Sequence, residues 1–112
     1  MRSKIVRNPK RNGEPGQREL QLMAETFRTM GDPTRTRIIY YLSQADCQVT
    51  ELAKTMGHSV SSISHQLRTL RNLGLVKYRR SGKYTYYRLD DDHIEHLFKE
   101  CQNHVRDLMG VN

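Results

Sequence analysis

The feature that most constrains this chain is a change of period at Gly74. Ahead of it, VTELAKTMGHSVSSISHQLRTLRNL carries apolar residues three and four apart, the spacing of helices. Behind it, LVKYRR and YTYYRL are rich in Val, Tyr and Thr and are separated by SGK, which predicts a β-hairpin with a basic tip. Gly57 divides the helical stretch in two. Thr50 is placed to cap a short helix over ELAKTM that Gly57 ends, and Ser59 to cap a second over VSSISHQLRTLRNL that Gly74 ends. Two short helices joined by a tight glycine turn are a helix-turn-helix candidate.

Further helices flank this unit. Leu20, Met23, Ala24, Phe27 and Met30 give one apolar face from about Gln17 to Met30, where Gly31 stops it. Asp32 and Pro33 supply an N-cap and a first-turn proline for the next helix, which runs to about Leu42 with Ile38, Ile39 and Leu42 inward. SQADCQ reads as a loop. The final helix, from about Asp91 to Met109, has an apolar stripe of Ile94, Leu97, Phe98, Cys101, Val105 and Leu108. Residues 1–16 hold five Lys or Arg with two Pro and two Gly, which predicts a mobile basic arm ahead of a single domain at 17–112. A chain of 112 residues buries only about two-thirds of its unfolded surface, so a partner copy would help it considerably.

A formal net charge of +7 favours polyanions, nucleic acid first and an anionic membrane second. No apolar run is long enough to span a bilayer, and no apolar segment follows the basic start, so neither a membrane span nor a signal peptide is expected. Cys47 and Cys101, far apart in sequence, make no disulfide framework and fit a reducing cytoplasm. The helix after Ser59 splits by face. Ile63, Leu67 and Leu70 fall on one side, while Ser61, Ser64, His65 and Arg68 fall on the other. Short hydroxyls can approach phosphates or base edges closely, and an arginine can take a guanine bidentately, so this face suits a DNA groove. An ordinary solvated helix face is the plainer alternative; the neighbouring short helix, the basic hairpin and the net charge favour DNA.

FRTMGDPTRTRIIYYLS followed by VTELAKTMGHSVSSISHQLRTLRNLGLVKYRRSGKYTYYRL resembles the ArsR/SmtB family of bacterial winged-helix repressors over roughly residues 20–109. The resemblance implies a mainly helical winged helix-turn-helix with a small β-hairpin, and a homodimer held by the first and last helices. It also implies recognition helices in successive major grooves of a near-palindromic operator in double-stranded DNA. Carried over by position, the DNA-facing residues are Ser61, Ser62, Ser64, His65, Gln66 and Arg68, with Arg80 and Lys83 contacting DNA from the wing.

The same resemblance bears on the last helix. In the family's zinc- and cobalt-sensing branch this helix carries Asp-x-His, ten residues, then His-x-x-His or His-x-x-Glu. Here the matching residues are Asp91, His93, His104 and Asp107, with Asp in place of the final His or Glu. The implied ligand is Zn(II), with Co(II) as the alternative. His93 and His104 stand eleven residues apart, about 16 Å along one helix, too far for a single zinc within a chain. Two antiparallel copies can bring Asp91 and His93 of one helix to His104 and Asp107 of the other, giving two sites per dimer. The bland reading is an acidic helix start that caps and favours the dipole, with histidines on a solvated face.

Other inducer sites of the family fit less well. The arsenic and cadmium branches carry cysteine pairs in the third helix, where this chain has TELAKT. The sulfide- and redox-sensing branch has a cysteine in the second helix, where this chain has Tyr40 and Tyr41; Cys47 lies in the next loop. Cys101 reads as a small buried packing residue near His104. Two alternatives therefore remain beside metal-released repression: the same repressor with a thiol or redox inducer, and a zinc-stabilised protein that binds DNA non-specifically. No nucleophile turn, phosphate loop or HExxH accompanies the Ser, His and Asp residues, so an enzyme is not expected.

Overall fold

The computed structural model describes residues 13–111. The arm expected at 1–16 falls largely on residues 1–12, outside the described residues. The elements are α1 (Gln17–Met30), α2 (Pro33–Gln44), α3 (Val49–Met56), α4 (Val60–Asn72), β1 (Val76–Ser81), β2 (Tyr84–Leu89) and α5 (Asp92–Met109). This is a five-helix winged helix-turn-helix, in the order the sequence indicates.

Local chemistry explains most boundaries. Asp32 accepts from the Arg35 backbone N–H (3.1 Å) with Pro33 in the first turn of α2. The start of α3 corrects the sequence reading: Gln48, not Thr50, is the N-cap, and the Glu51 carboxylate accepts from the Gln48 N–H at 2.7 Å. The helix gains two residues, Val49 and Thr50, because Glu51 closes a capping box on Gln48. Gly57 ends α3 at φ +72°, which lets the His58 N–H close back on the Ala53 carbonyl at 3.0 Å. The hairpin pairs Ser81 with Tyr84 across Gly82-Lys83, and Gly82 takes φ +64°. A glycine at the first of two loop positions gives a turn whose twist matches the strands.

One cluster holds these elements together. Ile38 and Ile39 of α2, Leu52 of α3, Ile63, Leu67 and Leu70 of α4, and Val76 of β1 are fully buried. Leu42, Ala53, Met56, Leu75 and Leu89 complete the cluster. The base of the wing is thus part of the core, and its tip is not. A further backbone bridge ties Cys47 to Tyr87, with hydrogen bonds of 3.0 and 2.7 Å, and anchors the α2–α3 loop to the free edge of β2.

α1 and α5 stand apart from this arrangement. α5 has no buried residue, and of α1 only Thr29 is buried. Ile94 and Phe98 dock the first half of α5 on the core, while Val105, Leu108 and Met109 are exposed. Cys101, expected inside, is exposed and lies beside Thr36 and Phe98 in a shallow apolar groove. The reason is that the stripe on α5 turns away from this chain's core after Phe98.

Truncating Leu67 to Ala should cost about 2–5 kcal/mol, the usual range for an emptied core site. Gly57→Ala should cost about 1–2 kcal/mol from backbone conformation alone, since no atom lies within 4 Å of the added methyl. Urea denaturation of both variants checks the order of the two effects.

Candidate nucleic-acid interface and metal-ligand pairs

The buried stripe of α4 fixes which side chains face out. With Ile63, Leu67 and Leu70 inside, Ser61, His65 and Arg68 are exposed and Ser62, Ser64 and Gln66 are half-buried along the flanks. Ser59 caps the helix by accepting from the Ser62 N–H at 3.0 Å. The first turn of α4 therefore begins beside Ser61 and Ser62, with the Ser62 N–H taken by the Ser59 cap.

Gln66 is more constrained than its sequence context indicates. Arg35 Nη1 donates to Gln66 Oε1 at 3.0 Å, and Arg35 Nε donates to the Thr29 carbonyl at 2.7 Å. One guanidinium thereby links the last turn of α1 to the recognition helix. The sequence carries no local signal for this contact, because the partners lie 31 residues apart.

The wing presents cations over aromatic rings. By register, Val76, Tyr78 and Arg80 share a face with Leu89, Tyr87 and Thr85, and Lys77, Arg79 and Ser81 share the other with Arg88, Tyr86 and Tyr84. Arg71 of α4 lies over Tyr78 (5.0 Å), Arg79 over Tyr86 (4.9 Å), and Lys83 over Tyr84 (5.6 Å). These contacts hold long side chains extended without neutralising them. Arg79 also pairs with Asp46 at 3.5 Å, whereas Arg80 and Lys83 are exposed near the tip.

On α5 the candidate ligands fall into two pairs. Asp91 caps the helix by accepting from the His93 N–H at 2.9 Å, and its Oδ1 lies 3.3 Å from His93 Nδ1. The hydrogen bond from the His93 side chain holds the Asp91 carboxyl below the usual carboxylate range. His104 and Asp107 stand one turn apart near the other end, both exposed. The chain brings Asp91 to His93 but not this pair to the second. Among the described residues, no group of three or more His, Cys, Asp or Glu that could hold a metal forms within one chain. Asp91 thus performs the capping role of the plainer reading while also sitting against an imidazole.

The cysteines do not face each other in a common element: Cys47 pairs with β2 and Cys101 lies on α5. Burial, then Glu51 and Asp46, push the Cys47 thiol up. A thiol held protonated is a poor nucleophile.

The helix-turn-helix, the wing and the sequence now identify the family. A model described as "Bacterial regulatory protein, arsR family" matches residues 32–78, from the cap of α2 into β1. The chain belongs to the arsR family of bacterial regulatory proteins. It is a DNA-binding transcriptional regulator, not an enzyme. Its relatives include a "Transcriptional repressor SmtB homolog" of Synechocystis sp., 43% identical over 80% of this chain and 67% of the relative. A "Cadmium resistance transcriptional regulatory protein CadC homolog" of Staphylococcus aureus is 38% identical over 80% of this chain and 74% of the relative. The solution structure of apo-NmtR aligns over 91% of this chain and 87% of that one, with TM-score 0.72 and 35% identity. A homodimeric winged helix-turn-helix domain from Mycobacterium bovis shares the fold, with TM-score 0.80 at 24% identity over 90% of this chain and 95% of that one. Among the described residues no helix is long and apolar enough to cross a membrane.

Two outcomes follow. Ser59→Ala should destabilise the fold by about 0.5–2 kcal/mol and weaken DNA binding, while Ser59→Thr should retain both, as read by thermal melts and duplex titration. The carboxyl of Asp91 should titrate below the ordinary value of about 3.9. Because its folded pKa is depressed, the contact stabilises the fold above the unfolded value and is lost as pH falls through the folded one. NMR titration of the Asp91 side chain should show this, with His93→Ala moving the midpoint back up.

Proposed function

We propose that the chain is a metal-responsive repressor that binds a near-palindromic operator as an apo homodimer and is released by Zn(II) or Co(II), controlling metal efflux or homeostasis genes. The observation that carries this reading is the layout of α5. Two exposed donor pairs, Asp91 with His93 and His104 with Asp107, stand at opposite ends of a helix whose apolar stripe is uncovered in its second half. Leu20, Leu22, Met23 and Phe27 of α1 extend the same uncovered character. Pairing two copies through α1 and α5 would bury these side chains and set the start of one α5 against the end of the other.

The donor set fits the ion. Two imidazoles and two carboxylates make a tetrahedral nitrogen and oxygen set suited to zinc, and Asp91 and His93 already lie within contact of each other. A bound ion would supply a cross-link between the two α5 helices. α3 carries no cysteine, so the set offers no thiolate despite the likeness to a relative named for cadmium resistance. The raised Cys47 thiol weakens the redox alternative.

On the DNA side, Ser61, Ser62, Ser64, His65, Gln66 and Arg68 would lie in the major groove, with Arg80 and Lys83 on the flanking backbone or minor groove. Metal and DNA must weaken each other by the same factor, since coupling between binding sites is reciprocal.

The test is a zinc titration of reduced protein against a competing chelator, beside fluorescence anisotropy on operator DNA. Wild type should take one zinc per chain and let go of the operator. His104→Ala should bind the operator as well as wild type and no longer respond to zinc. An His104→Ala protein that still dissociates on adding zinc would overturn the assignment.

A further inference from the structure

The outward face of α4 does not end at Arg68. Arg71 stands three residues after Arg68 and seven after Ser64, so it extends their flank of that face into the last turn of the helix. There it meets the wing. Its guanidinium lies over the ring of Tyr78 in β1, 5.0 Å from the centroid. Tyr78 in turn packs on Tyr87 of β2, with centroids 5.5 Å apart. Tyr87 is pinned to the α2–α3 loop by its two backbone hydrogen bonds with Cys47. The ring under Arg71 is therefore a braced platform. A cation over a ring keeps its full charge, and both Arg71 and Tyr78 are exposed. Tyr78 shares its side of the hairpin with Arg80, two residues or about 7 Å further toward the tip. Lys77 and Arg79 are on the other side, and Arg79 is paired with Asp46.

We propose that the cleft between this flank of α4 and this side of the hairpin takes one sugar-phosphate strand of the bound duplex. Arg71, propped on Tyr78, is a phosphate contact for that strand, and Arg80 meets a neighbouring phosphate. This rests on the DNA-facing placement of α4 given above. A helix in the major groove and a wing over the adjoining minor groove have a single backbone strand between them, so a cation at their junction faces phosphates and no base edge. Arginine suits the place, because its planar fork matches a phosphate bidentately while its face stacks on a ring. Tyr78 is a positioning residue. It acts by holding the guanidinium extended, which removes part of the ordering cost of the contact. The plainer role for a cation in the last turn of α4 is to favour the helix dipole, and that role needs neither a ring nor an extended side chain.

The experiment uses a duplex recovered by the wild-type protein from a random pool, together with single base-pair variants of it. Binding is measured by fluorescence anisotropy between about 50 and 200 mM salt, a range over which phosphate contacts register strongly. Arg71→Ala should lower the slope of log affinity against log salt by about 0.9 per half-site. It should weaken binding on the order of tenfold per contact in 0.1 M salt, evenly across the base-pair variants. Arg71→Met keeps the apolar stem over the ring without the charge and should behave like Arg71→Ala. Arg71→Lys keeps the charge and should keep the slope. Lys77→Ala removes a cation from the other side of the same hairpin and should leave the slope as in wild type. Tyr78→Phe retains the ring and should match wild type. Tyr78→Leu should weaken binding about 2- to 5-fold per half-site, the worth of an exposed cation on a ring. It should have no effect where Arg71 is already alanine.

The proposal is overturned if Arg71→Ala and Arg71→Met leave the slope unchanged, the result of a dipole role, which lowers the melting temperature alone. It is also overturned if Lys77→Ala lowers the slope as much as Arg71→Ala, since the effect is then one of net charge and not of the cleft. A Tyr78→Leu loss that is the same with and without Arg71 overturns the platform. Arg68→Ala separates these failures from failure of the groove placement. If it loses preference at one base pair while Arg71→Ala keeps the wild-type slope, α4 stays in the groove and only the clamp is removed. A wild-type protein that recovers no duplex from the pool removes the groove placement, and this proposal with it.

Discussion

Ile63, Leu67 and Leu70 stand at i, i+4 and i+7 on α4 and are wholly excluded from solvent, and the other elements take their places around them. Because one face of α4 is committed to the core, its opposite face is committed to water or a ligand. Packing at interior density allows little rotation of that helix, since a turn by even one residue would expose an isoleucine or leucine and bury a serine or arginine. Ile38 and Ile39 of α2, Leu52 of α3 and Val76 at the root of the wing complete the enclosure. The recognition helix and the hairpin are therefore oriented by one shared core and move as a unit.

Much of this was legible because it follows from period and punctuation. Gly57 and Gly74 mark helix ends, Ser59 caps α4, and the loss of helical spacing after Gly74, with Val, Tyr and Thr on either side of SGK, marks the hairpin. Features that depend on distant partners were not legible. The Gln48 and Glu51 box has the ordinary Glu at its third position, but its cap is Gln in place of the usual Ser or Thr, so the pattern does not signal it. The Arg35 to Gln66 bond joins residues on different helices, and no local pattern signals it. The exposure of Cys101 is hidden from the sequence for a related reason. An apolar stripe in a sequence says that a face seeks cover, but not whether the cover comes from the same chain.

That distinction matters most for α1 and α5. Their apolar residues have the spacing of packing helices, yet Phe27 is 58% exposed and Leu108 is 74% exposed. Scattered exposed leucines are ordinary on a protein surface. A continuous run over two helices of so small a domain is a different matter, because such a domain has little core to spare. The same helix that carries the uncovered stripe carries Asp91, His93, His104 and Asp107. The helix dipole favours the Asp91 carboxylate at the start, and the capping hydrogen bond from the His93 N–H preorganises it. A donor pair that is already assembled needs only the complementary pair from outside the chain.

The rigidity of the core limits how a signal at α5 can reach DNA. α5 docks through Ile94 and Phe98 onto the cluster that also holds α4, so a small shift of α5 cannot be absorbed by a soft layer between them. Close-packed interiors respond as blocks, and interfaces between blocks are where two arrangements can coexist. A two-fold dimer of such blocks reads two half-sites at a fixed separation, and its affinity depends on the relative placement of the two heads. A cross-link between the α5 helices would thus change DNA affinity without distorting either head. Arg35 fits this view, because it joins the end of α1 to α4 and ties one of the proposed pairing helices directly to the reading face. Its hydrogen bonds to the Thr29 carbonyl and to Gln66 hold the end of α1 and the recognition helix in one block.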